Sequence, residues 1–226
     1  MTGSRRRRQQ DGASRNRAAP FRCRLVIMVK APVAGAVKTR LARQIGVAGA
    51  TRFARHAAAA LIARVAFDRR WHTTLCVAPD ASVHAHHWPR TLARVAQGRG
   101  DLGRRMQHIL ERARPGPVVI IGTDIPGIAP AHIARAFRAL GGCACVVGPA
   151  TDGGYWLFGA RRRPCTPRPF ERVRWSSEHA LADTLGSLAG CSVGLVATLS
   201  DVDDADAYAR AAARFGRRVP PPVIPG

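Results

Sequence analysis

Two acidic residues lie just beyond long apolar runs and could bind a divalent cation. Asp124 follows the run PVVIIGT, and Asp152 follows CACVVGPAT. A carboxylate at the end of a buried strand is costly unless a cation accompanies it. Mg²⁺ is commonly held by one or two carboxylates together with substrate phosphates. Asp124 could instead cap the following helix, and Asp152 could belong to a turn with Gly153 and Gly154. Taken together, the two carboxylates favour a metal site.

A second segment could bind phosphate. It follows the apolar run LVIMV, reads APVAGAVKTR, and ends in two cations, Lys38 and Arg40, at the predicted start of a helix. A helix N-terminus with neighbouring cations attracts phosphate, although a solvated basic helix start would look the same. Because no glycine directly precedes Lys38, the segment is not a P-loop, and no GxGxxG fingerprint is present. We predict that this segment, with Ala31, Pro32, Gly35, Lys38, Thr39 and Arg40, binds phosphate.

The segment SDVDDADAY (200–208) is acidic within a strongly basic chain. Asp204 and Asp206 suit the cap and first turn of a closing helix. Asp201 and Asp203 follow a predicted strand, so they could face the same site as the other carboxylates.

Alternating apolar runs and helical stretches must position these residues. Predicted strands cover residues 25–29, 73–78, 93–97, 117–124, 143–150, 155–160 and 192–199. Predicted helices cover 39–67 with a break near residues 46–49, a segment capped by Asp101, and 130–140, 177–189 and 204–215. Continuous apolar strands that alternate with helices indicate an α/β fold, with a mainly parallel sheet covered on both faces. Ligands bind such sheets at the carboxyl ends of strands, which directs attention to the loops at 31–40, 122–127 and 149–154.

The chain of 226 residues fits a single domain of ordinary size. We predict a disordered basic tail over residues 1–20, the domain over 21–216 and a Pro-rich end over 217–226. The net charge of +22 would suit nucleic-acid binding. However, the excess is almost wholly scattered arginine, with eight arginines in residues 1–24. No nucleic-acid-binding motif is present, so we expect no dedicated nucleic-acid partner.

The cysteine content and the hydropathy of the chain indicate in which cellular compartment the protein is expected. The six cysteines form no CxxC pair and no disulfide framework. No apolar run approaches the roughly 18 residues of a membrane span, and the N-terminus lacks a secretory h-region. We therefore expect a cytoplasmic protein without a membrane span.

Six motifs together resemble a known family. They are VKAPVAGAVKTRLA (29–42), QGRGDLGRRM (97–106), IGTDIPGI (121–128), VVGPATDGGYWLFG (146–159), VRWSS (173–177) and DVDDADAY (201–208). In this order they resemble a bacterial family of GT-A-fold glycosyltransferase-like proteins, commonly named arsenosugar-biosynthesis-type glycosyltransferases. The resemblance covers about residues 24–210. A more distant similarity is to 2-phospho-lactate guanylyltransferase, which has Lys-Ser-Arg-Leu where this chain has Lys-Thr-Arg-Leu from Lys38 onwards.

The resemblance implies a GT-A-like three-layer α/β sandwich that binds a nucleotide in the first loop. It also implies a divalent metal, Mg²⁺ or Mn²⁺, held by Asp124 together with Asp152 or Asp203, and a catalytic role for Asp124 and Asp152. The motifs further assign Gly100 and Asp101 to the nucleotide. Contacts to the substrate are assigned to Gly153, Gly154, Tyr155 and Ser176. The chain departs from the family at Arg104, where relatives usually have a carboxylate, and at Ser177, where they often have threonine.

The function we expect is metal-dependent transfer of a sugar from a nucleotide-sugar donor to a small-molecule acceptor. One alternative is nucleotidyl transfer from an NTP donor. Another is a non-catalytic nucleotide-binding or RNA-binding protein. No oligomeric state follows from the sequence.

Overall fold

Strands and helices alternate along the chain in the computed structural model, which describes residues 22–162 and 166–200. The strands are β1 (Arg24–Lys30), β2 (His72–Ala78), β3 (Ala93–Ala96), β4 (Val118–Ile121), β5 (Cys145–Pro149), β6 (Tyr155–Ala160) and β7 (Val193–Leu195). The helices are α1 (Thr39–Val65), α2 (Leu102–Arg112), α3 (Pro130–Ala139) and α4 (Ala180–Ser187). The predicted break in the first helix is confirmed, because Gly46 has non-helical angles (φ 77°, ψ 158°) inside α1.

The seven strands form one sheet in the order β3-β2-β1-β4-β6-β5-β7. Neighbouring strands run parallel except at β6, which is antiparallel to both β4 and β5. The predicted mainly parallel sheet is therefore confirmed. The reversed strand was not predicted, because an antiparallel strand buried on both faces is as continuously apolar as a parallel one.

Helices cover both faces of the sheet, which confirms the predicted three-layer α/β architecture. Alternate residues of β1 show this: Leu25, Ile27 and Val29 belong to the core cluster that contains residues of α1 and α3. Val26 belongs to the other cluster, which contains residues of α2 and lies against Leu181 and Leu185 of α4. Burial on both faces explains why the strand sequences are apolar throughout.

The chain changes direction across the sheet between β1 and β4. From β1 it passes through α1 to β2 on one side, and from β4 it passes through α3 to β5 on the other. A crevice at such a switch point, beyond the carboxyl ends of the strands, is the usual ligand site in open α/β sheets. Since β6 runs in reverse, the turn between β5 and β6 lies at this same edge.

Several predicted strands are longer than the observed ones, and two of them differ the most. The strand predicted over 117–124 ends at Ile121. The loop beyond it lies against α1, where Arg64 donates to the carbonyl oxygens of Pro126 (2.6 Å) and Ile128 (3.1 Å). The strand predicted over 192–199 ends at Leu195. Beyond it, only separate hydrogen bonds to β5 continue, such as Leu199 N–H to the Pro149 carbonyl oxygen at 3.1 Å.

Several predictions fall outside the described residues. These are the tail at 1–20, the domain start near Phe21, Asp203 with its acidic neighbours, the closing helix and the Pro-rich end. Within 22–162 and 166–200, no helix is both long and apolar enough to cross a membrane.

Candidate functional site

The loop after β1 holds Lys38 in an unusual conformation. At the start of the loop, Ala31 is buried and donates its N–H to the Ala78 carbonyl oxygen at 2.7 Å. Lys38 then adopts left-handed backbone angles (φ 47°, ψ 48°) directly before α1 begins at Thr39. Such angles are uncommon for residues other than glycine, and residues held in them cluster at functional sites.

Lys38 and Asp124 form an ion pair across the switch point. Lys38 Nζ lies 2.8 Å from Asp124 Oδ1, and the side chains are 9% and 68% exposed, respectively. One residue comes from the loop after β1 and the other from the loop after β4. The structure therefore joins the residue predicted to bind phosphate to the residue predicted to bind metal, a contact that the sequence did not predict.

Asp124 is not a helix cap. The next helix, α3, begins at Pro130 with Ala129 in the capping position, and His132 Nδ1 accepts from the Ala129 N–H at 3.1 Å. Ile125 and Ile128 are buried next to Asp124, so the loop is anchored while the carboxylate stays in solvent. The capping alternative for Asp124 is therefore excluded.

The turn between β5 and β6 contains the second predicted carboxylate. Asp152 is exposed and its Oδ1 accepts from the Gly154 N–H at 2.9 Å, as expected for the turn alternative. Gly153 has a φ of 84°, and a Cβ there would lie 2.3 Å from the Glu178 carbonyl oxygen. Only glycine fits this close approach, which fixes the turn against the segment that precedes α4.

Asp152 and Asp124 leave the sheet on neighbouring strands. The last β4–β6 pair joins Ile121 to Leu157. Asp124 lies three residues beyond this pair and Gly154 three residues before it, so the two loops emerge side by side. Among the described residues, however, no three His, Cys, Asp or Glu side chains are grouped as a metal site.

The donor chemistry fits a hard cation that arrives with its substrate. Carboxylate oxygens are suitable ligands for Mg²⁺, which usually combines one or two carboxylates with phosphates and water. Asp124 and Asp152 are exposed at the same edge. The third predicted ligand, Asp203, lies outside the described residues. Leu199, near the end of the described residues, contacts the turn that carries Asp152: its carbonyl oxygen accepts from the Thr151 N–H at 3.2 Å.

Gln97 was missed by the sequence analysis. It is 5% exposed, and its amide nitrogen donates to the carbonyl oxygens of Val29 (3.0 Å) and Cys76 (2.9 Å). Its amide oxygen accepts from Arg105 at 2.7 Å. Gln97 therefore joins the loop after β3 to the carboxyl ends of β1 and β2. A single amide directly after a short apolar strand was the signal available in the sequence.

Gly100 and Asp101, predicted to contact the nucleotide, follow Gln97 in this loop. Gly100 is exposed and has a φ of 105°. Asp101 caps α2, since its Oδ1 accepts from the Arg104 N–H at 2.8 Å. The predicted cap is confirmed, and the loop lies at the same edge as Lys38.

The remaining predicted residues differ in exposure. Tyr155 is half-buried, and its hydroxyl accepts from Thr184 at 3.3 Å, while burial raises the pKa of the phenol. Ser176 is exposed, with a φ of 59°. Pro32 is half-buried, whereas the first loop exposes Gly35, Thr39 and Arg40.

Comparisons with known proteins agree with this architecture. The family model described as "Uncharacterized protein conserved in bacteria (DUF2064)" matches residues 61–177. None of the curated proteins matches the chain. Among solved structures, the chain is similar to a "putative nucleotide-diphospho-sugar transferase" from Desulfovibrio desulfuricans G20. The TM-score is 0.74 and the identity 28%, over 80% of this chain and 82% of that one.

Two further structures share the fold at lower identity. One is Rv0371c from Mycobacterium tuberculosis H37Rv in complex with manganese, with a TM-score of 0.50 and 19% identity over 85% of this chain and 98% of that one. The other is the CMP:2-keto-3-deoxy-manno-octonic acid synthetase complexed with CTP, with a TM-score of 0.54 and 11% identity over 86% of this chain and 98% of that one. The predicted fold class, that of nucleotide-diphospho-sugar transferases, is confirmed.

Proposed function

Since this chain belongs to the bacterial DUF2064 family, whose description names no activity, we propose its function from the site: a transferase that uses a nucleotide-activated donor. We take the donor to be a nucleotide sugar and the acceptor to be a small molecule. The Desulfovibrio structure supports this proposal, since that protein is described as a nucleotide-diphospho-sugar transferase and is 28% identical to this chain. Such donors are cytoplasmic metabolites, so we propose a cytoplasmic enzyme.

The observation that carries the proposal is the pair of Lys38 and Asp124 at the switch point. The ammonium group of Lys38 and the carboxylate of Asp124 lie 2.8 Å apart, on loops that follow adjacent parallel strands. A metal-bound diphosphate needs both groups: a cation for its phosphate oxygens and a carboxylate for its metal. Arg40, the second residue of α1, is exposed. When a donor binds, Lys38 would move from Asp124 to a phosphate oxygen, with Arg40 as a second cation.

A divalent cation, Mg²⁺ or Mn²⁺, would neutralise the charge that develops on the diphosphate leaving group. Asp124 would hold it with Asp152 or Asp203. The manganese complex of Rv0371c supports a divalent metal through the shared fold alone. The first-loop residues from Ala31 to Thr39, with Gly100 and Asp101, would surround the nucleotide. On the acceptor side we propose Gly153, Gly154, Tyr155 and Ser176.

Nucleotidyl transfer is the second candidate. It is favoured by the CTP complex of a synthetase that has the same fold. The two reactions differ in the bond that breaks. Glycosyl transfer breaks the bond between the sugar and the diphosphate, whereas nucleotidyl transfer breaks the α–β phosphate bond of a triphosphate and releases pyrophosphate.

The products distinguish the candidates. Purified protein with Mn²⁺ or Mg²⁺ is incubated with UDP-, GDP- or dTDP-sugars and, separately, with each NTP, together with a pool of small-molecule acceptors. Release of a nucleoside diphosphate, detected by mass spectrometry, supports glycosyl transfer, and release of pyrophosphate supports nucleotidyl transfer. The Asp124→Asn variant serves as the matched control. Absence of nucleotide binding, with salt-dependent RNA binding that needs no metal, would overturn the proposal and favour the RNA-binding alternative.

A further inference from the structure

One of the four tryptophans differs from the others in its hydrogen bonding. The indole N–H groups of Trp71, Trp88 and Trp156 each donate to a backbone carbonyl oxygen at 2.9 Å. The indole N–H of Trp175 has no partner among the described residues, and Trp175 is half-buried. An indole nitrogen can only donate, and Trp175 Nε1 is not among the buried polar atoms that lack a partner, so it reaches solvent. The Trp175 N–H is thus available to a ligand.

Trp175 lies at the carboxyl edge of the sheet. Its ring packs against Gly103 in the first turn of α2, where a Cβ would lie 2.7 Å from Trp175 Cζ2 and 3.0 Å from Nε1. Its ring centroid is 6.2 Å from that of Tyr155, the first residue of β6. Both neighbours begin elements at the edge where Lys38 and Asp124 lie. Trp175 is therefore at the proposed site, on the opposite face of the sheet from α1.

The loop that carries Trp175 is fixed on both sides of the ring. Arg172 and Ser176 both have positive φ angles of 59°. The Arg174 guanidinium donates to both carboxylate oxygens of Asp183, at 2.9 and 2.8 Å, and the Arg174 N–H donates to Asp183 Oδ2 at 2.9 Å. Ser177 Oγ also donates to the Arg174 carbonyl oxygen at 2.7 Å. A strained loop held in this way orients its central side chain before a ligand arrives.

The residues next to the ring in the sequence indicate which ligand atom would accept this hydrogen bond. Arg104 directly follows Gly103, which the ring contacts, and Arg172 precedes Trp175 by three residues; both are exposed. The carboxylate of Asp101 already accepts from the Arg104 N–H. Because the indole can only donate and arginines adjoin it in the sequence, an anionic oxygen of the phosphate or carboxylate class suits it as the acceptor.

We propose that Trp175 is a substrate-binding residue whose indole N–H donates to an anionic oxygen of a molecule bound at this edge. The inference rests on the proposed function in that the molecule is the nucleotide donor or an anionic acceptor. Trp175 touches the substrate through one hydrogen bond, and its ring stays in place through Gly103 and Tyr155.

Trp175→Phe tests the proposal because phenylalanine keeps a ring but lacks the N–H. The matched control is Trp88→Phe, which removes an indole that already donates to a backbone carbonyl oxygen. Tryptophan emission and affinity are measured during titration with GDP or UDP plus Mg²⁺, and with inorganic phosphate alone. Thermal midpoints establish that both variants are folded.

We expect ligand to change the emission of the wild type and of Trp88→Phe, but not that of Trp175→Phe. We also expect the affinity of Trp175→Phe for the probe that changes the wild-type emission to be at least about tenfold lower, as expected for the loss of one hydrogen bond to a charged group. If nucleotide changes the emission, the oxygen that accepts from Trp175 belongs to the nucleotide donor. A response to phosphate that persists at saturating nucleotide assigns it to the acceptor.

Two outcomes separate the proposals. If the wild type binds nucleotide and Trp175→Phe binds every probe within twofold of it, the role of Trp175 is overturned while the proposed function stands. If the wild type binds no nucleotide, the proposed function fails. In that case a phosphate response that is lost in Trp175→Phe still supports the anion-binding role, and its absence overturns it.

Discussion

Lys38 Nζ lies 2.8 Å from Asp124 Oδ1, joining the loops that follow two adjacent parallel strands. Lys38 is 9% exposed and Asp124 is 68% exposed, so the cation is enclosed and the carboxylate faces solvent. In the proposed complex each partner is replaced: a metal takes the place of the ammonium group at Asp124, and a phosphate takes the place of the carboxylate at Lys38. The ion pair thus keeps both side chains at the site before the donor binds.

We expect Asp124→Asn to abolish metal-dependent nucleotide binding and to leave the fold intact. Asparagine keeps the size and one acceptor oxygen but removes the charge that a hard cation requires. Because the Asp124 carboxylate is exposed and asparagine keeps an oxygen that can accept from Lys38, the free energy of unfolding without ligand should fall by only about 1 kcal/mol. Thermal midpoints with and without Mg²⁺ and nucleotide measure both effects. A variant that nucleotide and Mg²⁺ stabilise as they do the wild type would remove Asp124 from the metal site.

We expect Lys38→Ala and Arg40→Ala each to weaken binding of a nucleoside diphosphate by about 1.5–3 kcal/mol, the contribution of a hydrogen bond to a charged group. Binding of the corresponding nucleoside should change much less, because only phosphate contacts are lost. Calorimetric titration of both ligands gives the comparison. The control is Arg138→Ala, an exposed arginine in the last turn of α3, which should bind like the wild type. Equal losses in all three variants would indicate an effect of overall charge rather than a phosphate site.

We expect Gly153→Ala to lower the free energy of unfolding by about 2–4 kcal/mol, since strain at a positive φ and overpacking each cost about 1–3 kcal/mol. The added Cβ would lie 2.3 Å from the Glu178 carbonyl oxygen, at a φ of 84°. Gly186→Ala, inside α4 with no atom within 4 Å of the added Cβ, should be neutral or stabilising by up to about 1 kcal/mol. Urea unfolding of both variants measures this difference. Similar stabilities of the two variants would show that the turn can move away from residue 178.

The pair of Arg174 and Asp183 should make stability depend on pH in the acid range. Hydrogen bonds from Arg174 hold the pKa of Asp183 well below its usual range. A group whose pKa is lowered by folding stabilises the folded state above its unfolded pKa, about 3.9 for aspartate, and this stabilisation is lost as the pH falls through the folded pKa. We therefore expect Asp183→Asn to unfold at a lower temperature than the wild type at pH 7 and pH 5. The difference should shrink below about pH 4, and a constant difference down to pH 2 would contradict this assignment.

Most of the sheet could be predicted from its apolar runs, because a strand buried on both faces needs apolar residues at every position. The direction of each strand and the residues at which it ends could not be predicted in this way. Nothing in YWLFGA distinguishes an antiparallel strand from a parallel one, so the reversal of β6 depends on how the short turn at Gly153 returns the chain. The loop after β4 is held by Arg64, which is distant in the sequence and donates to the loop carbonyl oxygens, a contact that no local pattern could show.

The candidate site could be predicted as three loops but not as a set of contacts. Parallel strands bring their carboxyl ends together, so Lys38, Asp124 and Asp152 were expected at one edge. The pairing of Lys38 with Asp124 joins loops that are far apart in the sequence, so it could not be predicted from either motif alone. Trp175 was part of a motif, but its unpaired N–H emerges only by comparison with the partners of the other three indoles.

The interruption of α1 at Gly46 divides the helix into two pieces that are packed against the core to different extents. The longer piece contributes Leu61, Ile62 and Val65 to a main core cluster. The front piece, which follows Lys38, buries Leu41 in a small cluster with Ala50 and Phe53 of the longer piece, separate from the two larger clusters. The amide protons of residues 39–45 should therefore exchange with solvent deuterium faster than those near residue 62. A mass-spectrometric exchange map would then show one helix with two protection levels, and a bound nucleotide should slow exchange in the front piece alone.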